Sequence, residues 1–542
     1  MLPRRMMGVL VVLAVIFTLQ ACSGSGNGSS SSSGGAQGAM SLAVTDAPGD
    51  FDHVWITVKD VWIHTRTDAG PNDSAWIKNP LPTPVTVDLI GLSNGNMQSL
   101  WSGVTLTTGT YQQIRLFLVP TYAANPPAGH DYFNEVVIGG TTFPLRIPDA
   151  EHGIRLIGKF DVTAGAAVNL AIDFNAGEDI VDFNSTEYIL KPRLTYFDLD
   201  HIGAIVGQIS TDTTFTTAPR FVIKAEQLYS DGTSTYHVIR RITAPDATGK
   251  FILYPVSVVT GTTSTYDIVI RGLGYETMIV KGVPVISDTT PSLNPTTLPL
   301  ITMTTGTDYA ASGSIISPNG AWVDFYQTLP GAGDSPYDIR FRHFNPMTGR
   351  FSGFMLSNSP LQWGVYSSGT ITFTTVSPLE GIGGYQAVAF ALVDLYNHTP
   401  FPGAANPNMT YSSPTVSFGT LTVLAPWCEN SITGMISMSE PGSMDNRMDT
   451  GVIFVVYGGM IVDSISTERG DRPQPNVRTG GSFTMFNIPG GTASDPMPSA
   501  YYGIDASLWS STTSTIRSIP TPTIVDLRYG NDTANLQMLP LP

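Results

Sequence analysis

Val168, Leu170, Ile172 and Phe174 alternate with Asn169, Ala171, Asp173 and Asn175. A period of two sends successive side chains to opposite faces, so this segment has one apolar face and one small or polar face. That pattern describes a β-strand with one side buried, as in an antiparallel sandwich. It recurs at Val54, Ile56 and Val58, at Val85, Val87 and Leu89, and at Ile114, Leu116 and Leu118 after the turn Thr108-Gly109. No long stretch carries the 3.6-residue apolar period of a helix. Turn formers are abundant, with 54 Gly and 40 Pro, and charged residues make up only 13%. Short strands between many turns place the chain in the all-β class, and 542 residues leave room for several domains.

Three segments of the second half repeat in order. Three openings match: Gly207-Gln208-Ile209-Ser210, Gly313-Ser314-Ile315-Ile316 and Gly434-Met435-Ile436-Ser437. Three mid-unit turns match: Thr248-Gly249-Lys250-Phe251, Thr348-Gly349-Arg350-Phe351 and Gly480-Gly481-Ser482-Phe483. The closings, Thr297 to Leu300, Thr420 to Val423 and Asn535 to Leu541, match more loosely. The openings lie 106 and 121 residues apart, so each unit has the size of one sandwich. A Gly at the turn takes φ > 0 without steric cost, and the Phe after it enters the core strand.

The first residues carry targeting information. Arg4 and Arg5 precede Met7 to Leu19, an uncharged apolar run of 13 residues. A span needs roughly 20 apolar residues, so the run fits the h-region of a signal peptide instead. It ends in Leu19-Gln20-Ala21-Cys22, which resembles the lipobox of bacterial lipoproteins, with Gln20 the less usual residue. That resemblance implies cleavage before Cys22 and a diacylglycerol on its sulfur. Each buried lipid CH₂ contributes ~0.8 kcal/mol, so several acyl chains hold firmly where one holds weakly. Residues 23–39, SGSGNGSSSSSGGAQGA, cannot bury a core and read as a flexible tether with a mean reach of roughly 20–25 Å. Ser23 in place of Asp implies, by likeness to diderm lipoproteins, an outer-membrane destination.

Further segments carry a family resemblance. Thr45-Asp46-Ala47-Pro48, Val54 to Val61, Leu106 to Leu118, Ile147 to Leu156, Leu170 to Phe174 and Leu190-Lys191-Pro192 stand in the order of the DUF4382 family. This family of exported bacterial lipoproteins has no known function. Where its pattern has Ser-Gly after Ile-Pro and a second Asp, this chain has Asp149-Ala150 and Asn175. The first downstream unit, with Gly249-Lys250-Phe251 and Tyr266 to Tyr275, resembles carboxypeptidase-regulatory-like or transthyretin-like sandwiches. The second and third units match more weakly. The fold expected is therefore all-β: several antiparallel Ig-like or transthyretin-like β-sandwich domains in series after a signal peptide and a tether. The divisions are 1–21 signal peptide, 22–39 tether, 40–202 DUF4382-like domain, and sandwiches at 203–305, 306–426 and 427–542.

Motifs that carry chemistry are scarce. No nucleophile elbow, phosphate loop or His-Glu-x-x-His motif occurs, and the eight histidines are scattered. Without its leader the chain has 25 basic against 43 acidic residues and no basic stripe, which argues against nucleic acid. Asp46, Asp50 and Asp52 share one short loop, and Asp173, Glu178, Asp179 and Asp182 form a second acidic group. Ca²⁺ takes six to eight oxygens, often from loop carboxylates, so Asp46, Asp50 and Asp52 are its candidate ligands; the alternative is a solvated Asx-type turn. No other cofactor is expected. Trp322 and Trp363, both in the second repeat, are the candidate sugar-stacking pair, against a reading as sandwich aromatics. Trp55 and Trp62, seven apart, fall on opposite faces of a continuous strand and make no platform unless a bulge intervenes. With Cys22 lipidated, Cys428 has no internal partner, which leaves a structural thiol or an intermolecular one. The function expected is a non-catalytic cell-envelope lipoprotein, structural, adhesive or scaffolding. The alternative is a carbohydrate-binding surface lipoprotein using loop aromatics. Its partners are the membrane, through the anchor, and an envelope protein or polysaccharide.

Overall fold

The computed structural model describes residues 36–49, 51–67, 69–70, 73–147, 150, 152–182, 188–190, 192, 194–211, 221–230, 235–258, 263–286, 295–306, 308–316, 321–328, 335–339, 350–356, 361–376, 385–391, 410–412, 415–422, 428–438, 450–457, 460–466, 481–494, 500–509, 516–518 and 523–540. The leader, Cys22 and the tether up to residue 35 lie outside the described residues, as does Asp50. The protein is all-β, with strands in several sheets and, among the described residues, only a 3-10 turn at Ile90–Leu92 and a helical turn at Ala176–Asp179. No helix of the described residues is long and apolar enough to cross a membrane.

One three-strand arrangement recurs four times. In the N-terminal unit the strand Gln37–Ala47 runs antiparallel to Gln98–Thr107 on one side and parallel to Ala167–Asn175 on the other. Ile202–Ser210 lies in the same way between Lys250–Ser257, antiparallel, and the short parallel strands Thr296–Thr297 and Ile301–Thr302. Asp308–Ile316 lies between Arg350–Leu356 and the parallel Thr415–Thr422. Cys428–Met438 lies between Gly481–Gly490 and the parallel Leu536–Pro540. The openings, turns and closings of the sequence repeat are thus hydrogen-bonded neighbours.

The register explains why the repeat begins with Gly. Gly207 faces Phe251, Gly313 faces Phe351 and Gly434 faces Phe483. A Cβ on Gly207 would stand 2.5 Å from the Phe251 ring, and one on Gly434 would stand 1.7 Å from the Ala534 carbonyl oxygen. The missing side chain is what lets the Phe lie across the strand. The turn glycine has its own requirement, since Gly249 has φ +80.

Alternating residues of the N-terminal unit meet as expected in one core, where Val54, Ile56, Val58, Leu116, Leu170, Ile172 and Phe174 are buried together. That core lies between a four-stranded sheet and an eight-stranded sheet. A second core gathers Ile205, Phe251, Tyr266, Ile268 and Ile270 of the first repeat.

Strand pairing also runs across the division at residues 305 and 306. The hairpin of Leu361–Ser367 and Thr370–Val376 joins the sheet of the first repeat, with Leu361–Ser367 running parallel to Met278–Ile286. The chain folds back on itself as well. Arg146 of the N-terminal unit donates to the carbonyl of Ala506 in the last unit at 3.1 Å. In that same strand, Tyr501–Trp509, Tyr502 is buried, and burial pushes its phenol well above the usual range against a smaller downward pull from Arg155.

Candidate functional site

Thr45 and Asp46 stand near the end of Gln37–Ala47, and Thr45 pairs with Asp173 of the parallel neighbour. Asp46 is fully buried, and its Oδ1 accepts the amide of Ala176 at 2.9 Å. Asp179, also buried, accepts the amide of Asn175 at 2.9 Å. Arg241 enters from Thr235–Thr243 of the first repeat. Its Nη1 donates to Asp173, and its Nη2 donates to the Asp46 carbonyl at 3.0 Å and to the Thr45 hydroxyl at 3.2 Å. Beside it, the Thr243 hydroxyl donates to Asn94 at 2.7 Å. Asn94 and Gly95 form a turn with φ 57 and 85, and a Cβ on Gly95 would stand 2.9 Å from Tyr254 of the first repeat.

The electrostatics follow from a guanidinium bonded to Asp173 and from three buried or nearly buried acidic side chains that act on one another. Burial pushes the Asp46 carboxyl well above the usual range, the Ala176 amide draws it down, and the neighbouring Asp173 and Asp179 push it up again. Burial also raises Asp173, against the pull of Arg241. The Oδ2 of Asp46 has no hydrogen-bond partner. Such a group is most comfortable protonated.

Of the Ca²⁺ set Asp46, Asp50 and Asp52, Asp50 lies outside the described residues and the other two are placed differently. Asp46 is still within the strand and faces the interior, whereas Asp52 is exposed and accepts the amide of Gly140 at 3.1 Å. Among the described residues no group of three His, Cys, Asp or Glu side chains is placed to hold a metal ion. Asp173 and Asp179 of the second acidic group do approach Asp46, through a parallel pairing that spacing alone does not reveal. Arg241, which closes the cluster, belongs to no motif and left no signal in the sequence.

The second feature is the outer face of the larger N-terminal sheet. His53–His64 carries a register shift between Val58 and Asp60 against both neighbouring strands. Val54, Ile56 and Val58 face the core before it, and Val61 and Ile63 after it. The bulge thereby turns Trp55 and Trp62 to the same outer face, where an uninterrupted strand would separate them. They make two clusters rather than one platform. Trp55 lies between His53, 5.7 Å away and stacked, and His130, 4.7 Å away and edge-on. Each histidine is held by a carboxylate, His53 by Asp88 at 2.8 Å and His130 by Glu135 at 2.7 Å. Trp62 contacts Trp76 and Phe117, with Lys78 Nζ 3.8 Å from its ring centre. Over this second cluster the chain around Thr67 to Gly70 is tied down: Gln113 donates to Thr67 O at 2.8 Å and Trp76 to Gly70 O at 2.8 Å.

Trp363 is half-buried, with Lys281 Nζ 5.3 Å from its ring centre. It belongs to the six-stranded sheet of the first repeat, while the backbone of Trp322 belongs to a separate three-stranded sheet. The side chains of Trp322 and Cys428 lie outside the described residues; the backbone of Cys428 pairs with Gly490.

Comparison with known proteins matches one segment of the chain to a family. Residues 37–192 match the family described as a domain of unknown function, DUF4382, so the N-terminal unit is a DUF4382 domain. No curated protein matches. Among solved structures, the chain is similar to the Bacillus anthracis TIE protein, at 8% identity over 95% of this chain and 76% of that one, with a TM-score of 0.14. It is also similar to two B repeat units of the collagen binding protein of Staphylococcus aureus, at 9% identity over 93% and 98%, TM-score 0.13. The full-length major pilin SpaD from Corynebacterium diphtheriae matches at 9% identity over 64% and 99%, TM-score 0.14. Scores this low define no element-by-element correspondence and no shared function.

Proposed function

We propose that the protein is a non-catalytic lipoprotein of the cell envelope, held to the outer membrane through a lipid on Cys22, with a structural, scaffolding or adhesive role. The observation that carries this reading is how the units meet. Buried Arg241 of the first repeat is received by the Asp173 carboxylate and the Asp46 carbonyl of the DUF4382 domain, and Arg146 of that domain reaches the last unit. Units joined by buried polar contacts rather than by free linkers form a stiff body, which suits display or spacing. Its partner is an envelope protein or a polysaccharide. Two measurements test the reading. Wild-type protein should sediment with membranes, and Cys22→Ala should appear in the soluble fraction; a variant that stays membrane-bound defeats the anchor. Small-angle scattering of the soluble variant should fit one compact particle; a profile of independently moving units defeats the stiff body.

A second reading, glycan binding, is favoured by one observation: Trp55 is half-exposed between two histidines whose orientations are fixed by carboxylates. Aromatic faces of this kind stack on sugar rings. Titration with glycans positive on an array should quench tryptophan fluorescence, and Trp55→Ala should abolish the quench. An array with no positive glycan ends this reading.

A further inference from the structure

The strand Phe221–Ser230 turns Phe221, Ile223 and Ala225 into the core of the first repeat. Its opposite face carries Lys224 and Glu226, both buried, at 1% and 0% exposure. Covering them is the short strand Tyr337–Asp338 of the second repeat. Lys224 Nζ stands 3.3 Å from Asp338 Oδ1 and 3.1 Å from the Asp338 carbonyl oxygen, and the Asp338 side chain is only 2% exposed. Glu226 Oε2 accepts the Asp338 amide at 3.0 Å. An amine and a carboxyl group are thus brought together away from water, beside a second carboxyl group, held by the Asp338 amide, that can move protons.

We propose that Lys224 and Asp338 form an amide cross-link, with Glu226 as the proton carrier. The ammonium gives up one proton, which Glu226 relays to the Asp338 carboxylate, and the neutral amine attacks Cγ of the carboxyl so protonated. The Nζ–Cγ bond forms, Glu226 takes a second proton from the nitrogen, and the Cγ–O bond breaks as the hydroxyl departs as water with that proton. An ammonium and a carboxylate become a neutral amide and one water, so no oxidant, energy source or outside reactant is needed. Two features favour the step. Charges withheld from water lean towards their neutral forms, which are the nucleophile and the electrophile. Held groups also react as though at very high concentration once the reacting atoms lie about 3–3.5 Å apart.

The surroundings hold them. Next to Asp338, Tyr337 donates to Asp267 at 2.6 Å, and its ring is stacked on His237 with centres 3.8 Å apart. His237 donates its amide to the Pro336 carbonyl at 2.8 Å, and Ile339 donates to the Phe325 carbonyl at 2.8 Å. The segment that presents Asp338 is fixed from both sides. A bond here would join two units of the body across 114 positions of chain.

The test is a peptide map of the full chain after denaturation and trypsin digestion. Trypsin cannot cut after an acylated lysine, so the cross-linked protein should yield one branched peptide, containing Lys224 and Asp338, lighter by one water than its two parts. Glu226→Gln and Lys224→Arg should lose the branched peptide, with circular dichroism of both variants showing that they remain folded. A wild-type map in which trypsin cuts after Lys224 and Asp338 sits in a linear peptide overturns the proposal. A branched peptide that survives in Glu226→Gln overturns the role of Glu226.

Discussion

The two junctions around the first repeat solve one problem in different ways. At the junction with the DUF4382 domain, Arg241 meets the Asp173 carboxylate, the Asp46 carbonyl and the Thr45 hydroxyl, with the buried Asp46 and Asp179 carboxyls beside them. At the junction with the second repeat, Lys224 meets Asp338, whose amide is held by Glu226, and His237 meets Asp267 and Tyr337. Guanidinium stays protonated and forks across several oxygens, which makes Arg241 a permanent clamp. An amine can lose its proton and react, which a guanidinium does not do. The difference teaches that one buried basic side chain can secure a junction by charge alone and another by chemistry.

The largest effect is expected from emptying the first junction. Arg241→Met should cost about 3–5 kcal/mol, because it leaves buried carboxylates without their cation. Thermal unfolding should show the DUF4382 domain and first repeat melting earlier; a loss well under this range would mean the carboxylates are already neutral. Gly434→Ala tests a unit remote from both junctions. Its Cβ would meet a backbone oxygen, which cannot swing aside, so a loss of about 1–3 kcal/mol is expected in chemical denaturation. Gly207→Ala, whose Cβ meets only a ring, should cost less.

Acidity separates the junctions by sign. The Asp46 carboxyl is raised in the folded protein, so its contribution is complete below the usual carboxylate range and is lost as pH rises through the raised value. Asp267 is the reverse. Burial pushes it up, but hydrogen bonds from His237, Tyr337 and the Gly282 amide outweigh that and hold it below the usual range. Its contribution is present above that range and is lost as pH falls through the lowered value. Stability measured against pH should lose its alkaline-side decline in Asp46→Asn and part of its acid-side decline in Asp267→Asn; unchanged curves would remove the distinction. Tyr337→Phe deletes one hydrogen bond to a charged group and should cost about 1.5–3 kcal/mol at most. A calorimetric change confined to the first and second repeats would place it at the second junction.

Much of the fold was legible because its signals are local. Alternation at Val168 to Phe174 gave a strand with one buried face, and the repeated Gly and Phe gave segments that proved to pair. The site was less legible. Asp46 and Asp52 are neighbours in sequence but are separated by the end of a strand. Trp55 and Trp62 came to one face because a single bulge adds one residue to the count, and no residue type announces a bulge.

By itself, then, the sequence determined the all-β class, the repeating unit and the DUF4382 segment, since strand period, turn chemistry and family motifs are read over a few residues at a time. Tertiary structure alone decided which charges share the interior. Arg241 reaches Asp173, and Lys224 reaches Asp338, only because strands from separate units cover one another's faces. Contacts between faces depend on the summed twist, register and bulges of every strand between them, and that sum is fixed when the units pack.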